Sequence, residues 1–219
     1  DGESMLTLFY GLLLSGISMK IAGSSSPASG GEHLISHYWD MRAPISGREP
    51  GLHGAQVGVA TLVTATLYSV LRDEWRTLSK GVSCAEPEHM EIETRAGFNE
   101  FYGALAPEVA AEYLKKFPSV DACRADADAI RRSASEIEAK VWPSLKPASK
   151  IRETLLAAGA PVTIDALGLG YEDAEEALLH GREIRGRYTV LDLAWELGVL
   201  PTRSAEMLEM VSGMLALKM

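Results

Sequence analysis

The run Gly31-Glu32-His33-Leu34-Ile35-Ser36-His37 places two imidazoles four residues apart. On a helix, that spacing stacks them on one face. Imidazole is a common ligand for zinc, iron or nickel. A third histidine, His53, follows in Leu52-His53-Gly54 at the start of the next apolar stretch. Three of the five histidines therefore fall in one predicted helical hairpin. A catalytic zinc site takes three protein ligands and keeps one position open. Asp40 lies on roughly the same helix face as His33 and is the local carboxylate that can complete such a set. A solvated acid at a helix end is the commoner role for such a residue. The serine run Ser24-Ser25-Ser26 leads toward this helix. Hydroxyls beside backbone amides at a helix start can hold an anion, and they equally make a polar turn with a cap.

The elements that must position these groups read as helices throughout. Leu6 to Ala22 forms the first, broken by the turn-prone Gly23-Ser24-Ser25-Ser26-Pro27. Its apolar stretch, Met5 to Met19, is expected to be a buried core helix. Gly11, Ser15, Gly16 and Ser18 interrupt it, and it is too short and polar to span a bilayer comfortably. It lacks the basic flank of a signal peptide. Ser29, with Glu32 three residues on, can cap the helix that carries His33 and His37, which ends before Ala43-Pro44. After a loop from Ile45 to Gly51, Leu52 to Leu71 reads as a buried helix. An acidic connector, Glu86 to Glu93, separates the halves. Helices then follow over Pro107–Phe117, Val120–Trp142, Ala148–Ala158, Glu172–Tyr188, Leu191–Leu197 and Ala205–Leu217. No βαβ alternation appears, and no GxGxxG opens a helix after a strand, so the chain offers no dinucleotide fingerprint of its own.

At 219 residues the chain can build one sizeable core. Its net charge of -9 argues against non-specific nucleic-acid binding and against docking on anionic lipid. The two cysteines, Cys84 and Cys123, form no CxxC pair, so a disulfide framework or Cys-rich zinc site is not expected, and a reducing cytoplasm is the expected location. His180, flanked by Leu179 and Gly181, is expected to make a structural hydrogen bond, and His89 to be exposed. Arg182, Arg185 and Arg187 can meet a phosphate, although a solvated face is the plainer expectation. Trp39, Trp75, Trp142 and Trp195 read as packing residues.

The ordered motifs Ser15-Gly16-Ile17-Ser18-Met19, Gly23 through His33, and Leu52-His53-Gly54 resemble those of the glycerol dehydrogenase and glycerol-1-phosphate dehydrogenase families. These belong with 3-dehydroquinate synthase and the iron-containing alcohol dehydrogenases. Ile151 through Pro161, and Ala177 through Leu193, resemble the glycerol-1-phosphate branch, so the likeness spans nearly the whole chain. It implies an all-α fold over residues 1–219, the multi-helix C-terminal domain of the dehydroquinate synthase-like fold, without the N-terminal α/β domain that binds NAD or NADP. By the same resemblance, His33 and His53 match metal ligands, for zinc, nickel or iron, and His37 matches a histidine implicated in proton handling. The implied reaction interconverts dihydroxyacetone phosphate and glycerol 1-phosphate, with the substrate in a cleft against the nucleotide-binding domain. Two departures stand out. The family's third, acidic ligand lies before the first residue of this chain, and Ser26 stands where the family often has Arg. The chain alone is therefore expected to be inactive, and a homo-oligomer is compatible with it. Glycerol dehydrogenase, a 3-dehydroquinate synthase domain and a non-enzymatic helical binding module are the alternatives.

Overall fold

A computed structural model of the chain describes residues 2–82, 97–117, 119–200 and 202–216. Every regular element among them is helical, as the all-α reading requires. The acidic connector, with His89 and Cys84, lies outside the described residues. The chain divides into two units, residues 1–30 and 31–219.

The first unit is one helix and a short turn. Helix α1 spans Gly2–Ala22, and a 3-10 turn covers Ser26–Ala28. Gly23 ends the helix at φ 64°, and the amide of Ser24 reaches back to the carbonyl of Met19, a Schellman closure that needs a left-handed residue at this point. The expected buried core helix is a helix, but none of its residues is buried. Its apolar side chains are spread around the axis rather than gathered in one stripe, and its own unit holds no second helix to cover them. At 21 residues it is also longer than the apolar run suggests. It and α3 are long and apolar enough to cross a membrane by length and composition, although more than half of the α3 stretch is buried in the core.

The second unit holds the remaining helices: α2 (Gly31–Arg42), α3 (His53–Leu78), α4 (Ala106–Lys116), α5 (Val120–Lys140), α6 (Ala148–Ala157), α7 (Tyr171–His180), α8 (Val190–Glu196) and α9 (Ser204–Ala216). Residues 97–102 are also helical. The central helix is α3, which packs against α2, α5, α6, α8 and α9. Its apolar face, Ala60, Val63, Leu67 and Leu71, shares one core cluster with Leu34, Ile35 and Tyr38 of α2 and Leu191 and Ala194 of α8. These side chains are almost fully removed from water, and the Val, Leu and Ile among them are worth roughly 1.5–3 kcal/mol apiece before the cost of ordering. The apolar stretch Leu52 to Leu71 sets the expected bounds of this helix. The helix instead runs on to Leu78, because Trp75 anchors it to α5: the ring is buried, and its Nε1–H donates to the carbonyl of Ala134 at 2.9 Å.

Local signals explain most other boundaries. Pro107 sits in the first turn of α4, where a missing N–H costs nothing. Ser119 caps α5 by accepting the amide of Ala122. Thr189 and Asp192 form a capping box at the start of α8. Two helix boundaries fall elsewhere than expected. Ser29 closes the 3-10 turn over the carbonyl of Ser26, and α2 begins at Gly31. The helix expected over Glu172–Tyr188 stops at His180 and gives way to a 3-10 turn, Gly181–Glu183, pressed against α2. A Cβ on Gly181 would lie 3.5 Å from the Ile35 amide nitrogen, an ordinary van der Waals distance, so the turn lies directly against the α2 backbone. Cys123, buried on α5, is disulfide-bonded, against the expectation drawn from the missing CxxC spacing. Chain-distant cysteines need only the right Cα separation.

Candidate metal centre

The hairpin of α2 and α3 brings all three sequence-predicted imidazoles together. The ring centroids of His33 and His53 are 5.3 Å apart, those of His37 and His53 are 5.2 Å apart, and those of His33 and His37 are 6.2 Å apart. The helical i, i+4 spacing sets the last distance. The first two depend on His53 arriving at the first position of α3. His33 and His37 are half-buried and His53 is exposed, so the cluster sits at the surface of its unit.

Neighbouring polar groups hold two of the rings. The Glu32 carboxylate lies 2.9 Å from His33 Nδ1. Ser36 Oγ lies 3.1 Å from His53 Nδ1 and donates its proton to Gln56 Oε1 at 2.9 Å. Ser36 and Gln56 are both buried. His37 makes no comparable hydrogen bond among the described residues. Burial, and then the nearby His53, Arg185 and His33, hold its imidazole below the ordinary value, while Asp40 pulls the other way. A neutral ring at neutral pH follows, able to accept a proton or a cation.

The most compact donor group is His37, Asp40 and His53, whose ligand atoms lie within 4.8 Å of one another. Asp40 Oδ1 is buried and finds no hydrogen-bond partner among the described residues. His33 stands at the edge of this group. Imidazole nitrogens with a carboxylate oxygen suit zinc, nickel or iron.

Beside His37 opens a cavity of about 230 Å³. Met41, Val109 and Ile184 supply its apolar wall, and Arg185, Glu108 and Glu112 its charges. The Glu112 charge is already matched, since its carboxylate is held low by a contact with Lys115 and by the amide of Gly186. Arg182, expected on a solvated face, is instead 3% exposed. Its guanidinium lies 4.2 Å from the Trp195 ring and donates to Tyr113 Oη, with Asp192 3.7 Å away. A residue with those partners is structural, and of the three arginines it is Arg185 that faces the cavity. His180 makes the expected hydrogen bond, to Glu183 at 3.1 Å. The serine run belongs to the 3-10 turn of the first unit, where the Ser26 amide donates to Ser24 Oγ. Sequence reading missed Glu32, Ser36 and Gln56 as partners of the histidines. The one available signal was polar residues on the buried side of an apolar helix.

The helical hairpin with its imidazole cluster defines an all-helical domain with a candidate metal centre, and the relatives are more specific. The chain is 30% identical over 201 residues to a glycerol-1-phosphate dehydrogenase of Thermofilum pendens, covering 87% of this chain and 35% of that protein. It is 28% identical over 194 residues to one of Bacillus licheniformis, covering 89% and 35%, and 41% identical over 113 residues to one of Halorubrum lacusprofundi, covering 51% and 31%. The names of all three include NAD(P)+. The chain belongs to the glycerol-1-phosphate dehydrogenase family. It spans about a third of the length of these curated relatives. No family model and no solved structure matches it.

Proposed function

We propose that this chain is the metal-binding helical part of an NAD(P)-dependent oxidoreductase that interconverts dihydroxyacetone phosphate and glycerol 1-phosphate. The observation that carries the reading is the meeting of His33, His37 and His53 on one hairpin in a chain of this family. His33 and His53 are the proposed ligands, with Asp40, whose carboxylate groups with His53, able to join them. His37 is the proposed proton-handling residue. A bound divalent ion would supply Lewis-acid polarisation of the substrate's oxygen.

The protein's own groups have distinct tasks in this scheme. The cavity beside His37 receives the three-carbon substrate. Arg185, at its wall, offers a charge to the phosphate. His37, with no hydrogen bond among the described residues and its imidazole held below the ordinary value chiefly by burial, can take a proton from the substrate hydroxyl in the oxidative direction and return it in the reductive one. Hydride transfer belongs to NAD or NADP, for which the described residues provide no βαβ site, so the chain by itself is expected to be inactive.

The test is NAD(P)H oxidation by the full-length gene product, loaded with zinc, on dihydroxyacetone phosphate and on dihydroxyacetone, with His33→Ala as control. Activity on the phosphate that disappears in the control supports the reading. Activity confined to dihydroxyacetone would reassign the substrate to an unphosphorylated polyol. A His33→Ala protein as active as the parent would remove the metal assignment.

A further inference from the structure

The hydrogen bonds behind the imidazoles specify how the histidines present themselves. A carboxylate only accepts, so the Glu32 oxygen 2.9 Å from His33 Nδ1 requires a proton on that nitrogen. The second case follows from counting protons. Ser36 has one hydroxyl proton, and it points to Gln56 Oε1. Its oxygen can then only accept from His53 Nδ1, 3.1 Å away. In a neutral imidazole, a proton on Nδ1 leaves the lone pair on Nε2.

We propose that Glu32 and the Ser36–Gln56 pair are positioning residues that fix His33 and His53 in the Nδ1–H tautomer, with both Nε2 lone pairs free for a cation. The inference deepens the metal reading above and rests on it for its purpose, though not for its geometry. Each ring also has its rotation restrained by the hydrogen bond at its Nδ1. Outer partners of this kind are worth about 10–100-fold in metal affinity. The placement is economical: Ser36 lies on α2 between the two histidines of that helix, and Gln56 lies one turn after His53 on α3. One buried hydrogen-bond chain therefore ties the third imidazole to the helix that bears the other two.

The test uses 15N-labelled full-length protein and long-range 1H–15N correlation spectra of the imidazoles, without metal, at a pH where the rings are neutral. Zinc affinity is measured in parallel by chelator competition. The wild-type spectra should show His33 and His53 as Nδ1–H tautomers. Gln56→Leu and Ser36→Ala should give mixed tautomers at His53 alone, and Glu32→Gln should do so at His33 alone. Each should weaken zinc binding by about 10–100-fold. Gln56→Glu keeps an acceptor for the Ser36 hydroxyl and should restore the wild-type spectrum, which a merely structural role for Gln56 would not predict. Nε2–H tautomers in the wild type, or spectra and affinity unmoved by all of these variants, would overturn the proposal. Wild-type protein that shows the Nδ1–H tautomers yet binds no zinc would uphold the positioning and refute the metal reading instead.

Discussion

His37 and Arg185 face the same cavity from different elements, the first on α2 and the second just after the turn that ends α7. The guanidinium is close enough to help lower the imidazole's proton affinity. If the cavity takes a phosphorylated substrate, this pair divides the work, with His37 at the hydroxyl and Arg185 at the phosphate. A hydrogen bond to a charged group is worth about 1.5–3 kcal/mol. Arg185→Ala should therefore lower kcat/KM for dihydroxyacetone phosphate by about 10–100-fold while leaving dihydroxyacetone nearly unaffected. Steady-state kinetics on both substrates check it, and an equal loss on both would show that Arg185 does not read the phosphate.

The sequence displays what depends on near neighbours and conceals what depends on distant ones. The spacing of His33 and His37, the proline at the start of α4 and the Ser119 cap act within one or two turns, and all are legible. Lys116 meets Asp192 across most of the second half of the chain, and no periodicity announces that. The same blindness put Arg182 on a solvated face, because an arginine in a polar run looks exposed until its partners are known. It also joined α7 to the residues beyond it, since only the packed structure shows Gly181 against the α2 backbone. For α1 the apolar composition promised burial, but composition does not say what lies against a helix.

Gly31 opens α2 where it crosses α3 and α8. A methyl group there would lie 3.2 Å from Val190 Cγ1, 3.3 Å from Thr64 Cγ2 and 3.4 Å from Leu191 Cγ. All three neighbours are buried or at the core edge, with little room to retreat. Gly31→Ala should destabilise the protein by about 1–3 kcal/mol through overpacking. Urea unfolding followed by far-UV circular dichroism measures it. An unchanged midpoint would mean that the start of α2 shifts freely, and would weaken the claim that it fixes His33.

The Lys116 ammonium and the Asp192 carboxylate pair at 2.6 Å, with side chains 3% and 0% exposed. Burial drives the lysine's proton affinity down, and Asp192 opposes that. Removing the cation would leave Asp192 with Arg182 at 3.7 Å and the Thr189 amide and hydroxyl. Lys116→Met should cost about 3 kcal/mol, the lower end of the range for breaking a buried pair, since those groups remain. The double variant Lys116→Met/Asp192→Asn should recover part of the loss. Chemical unfolding of the three proteins decides it, and purely additive effects would deny the coupling.

Glu196 carries the clearest pH signature outside the imidazole cluster. It is buried at the end of α8, accepts a 2.6 Å hydrogen bond from Tyr188 Oη, and has its carboxyl pushed up to about 7, chiefly by burial. Asp192 and Asp126 add to that rise, while the Tyr188 bond and Arg182 oppose it. Between about 4.5 and about 7 the folded state holds a proton that the unfolded chain has released. This group's contribution to stability is thus greatest at low pH, and it falls as the pH rises through that window. The loss should be on the order of 2 kcal/mol. Glu196→Gln keeps an acceptor for Tyr188 and cannot ionise. It should be more stable than the parent at pH 8, about equal to it near pH 4.5, and lack this part of the slope. Urea midpoints of both proteins between pH 4.5 and pH 8 test the assignment. Parallel curves across that range would place the titrating group elsewhere.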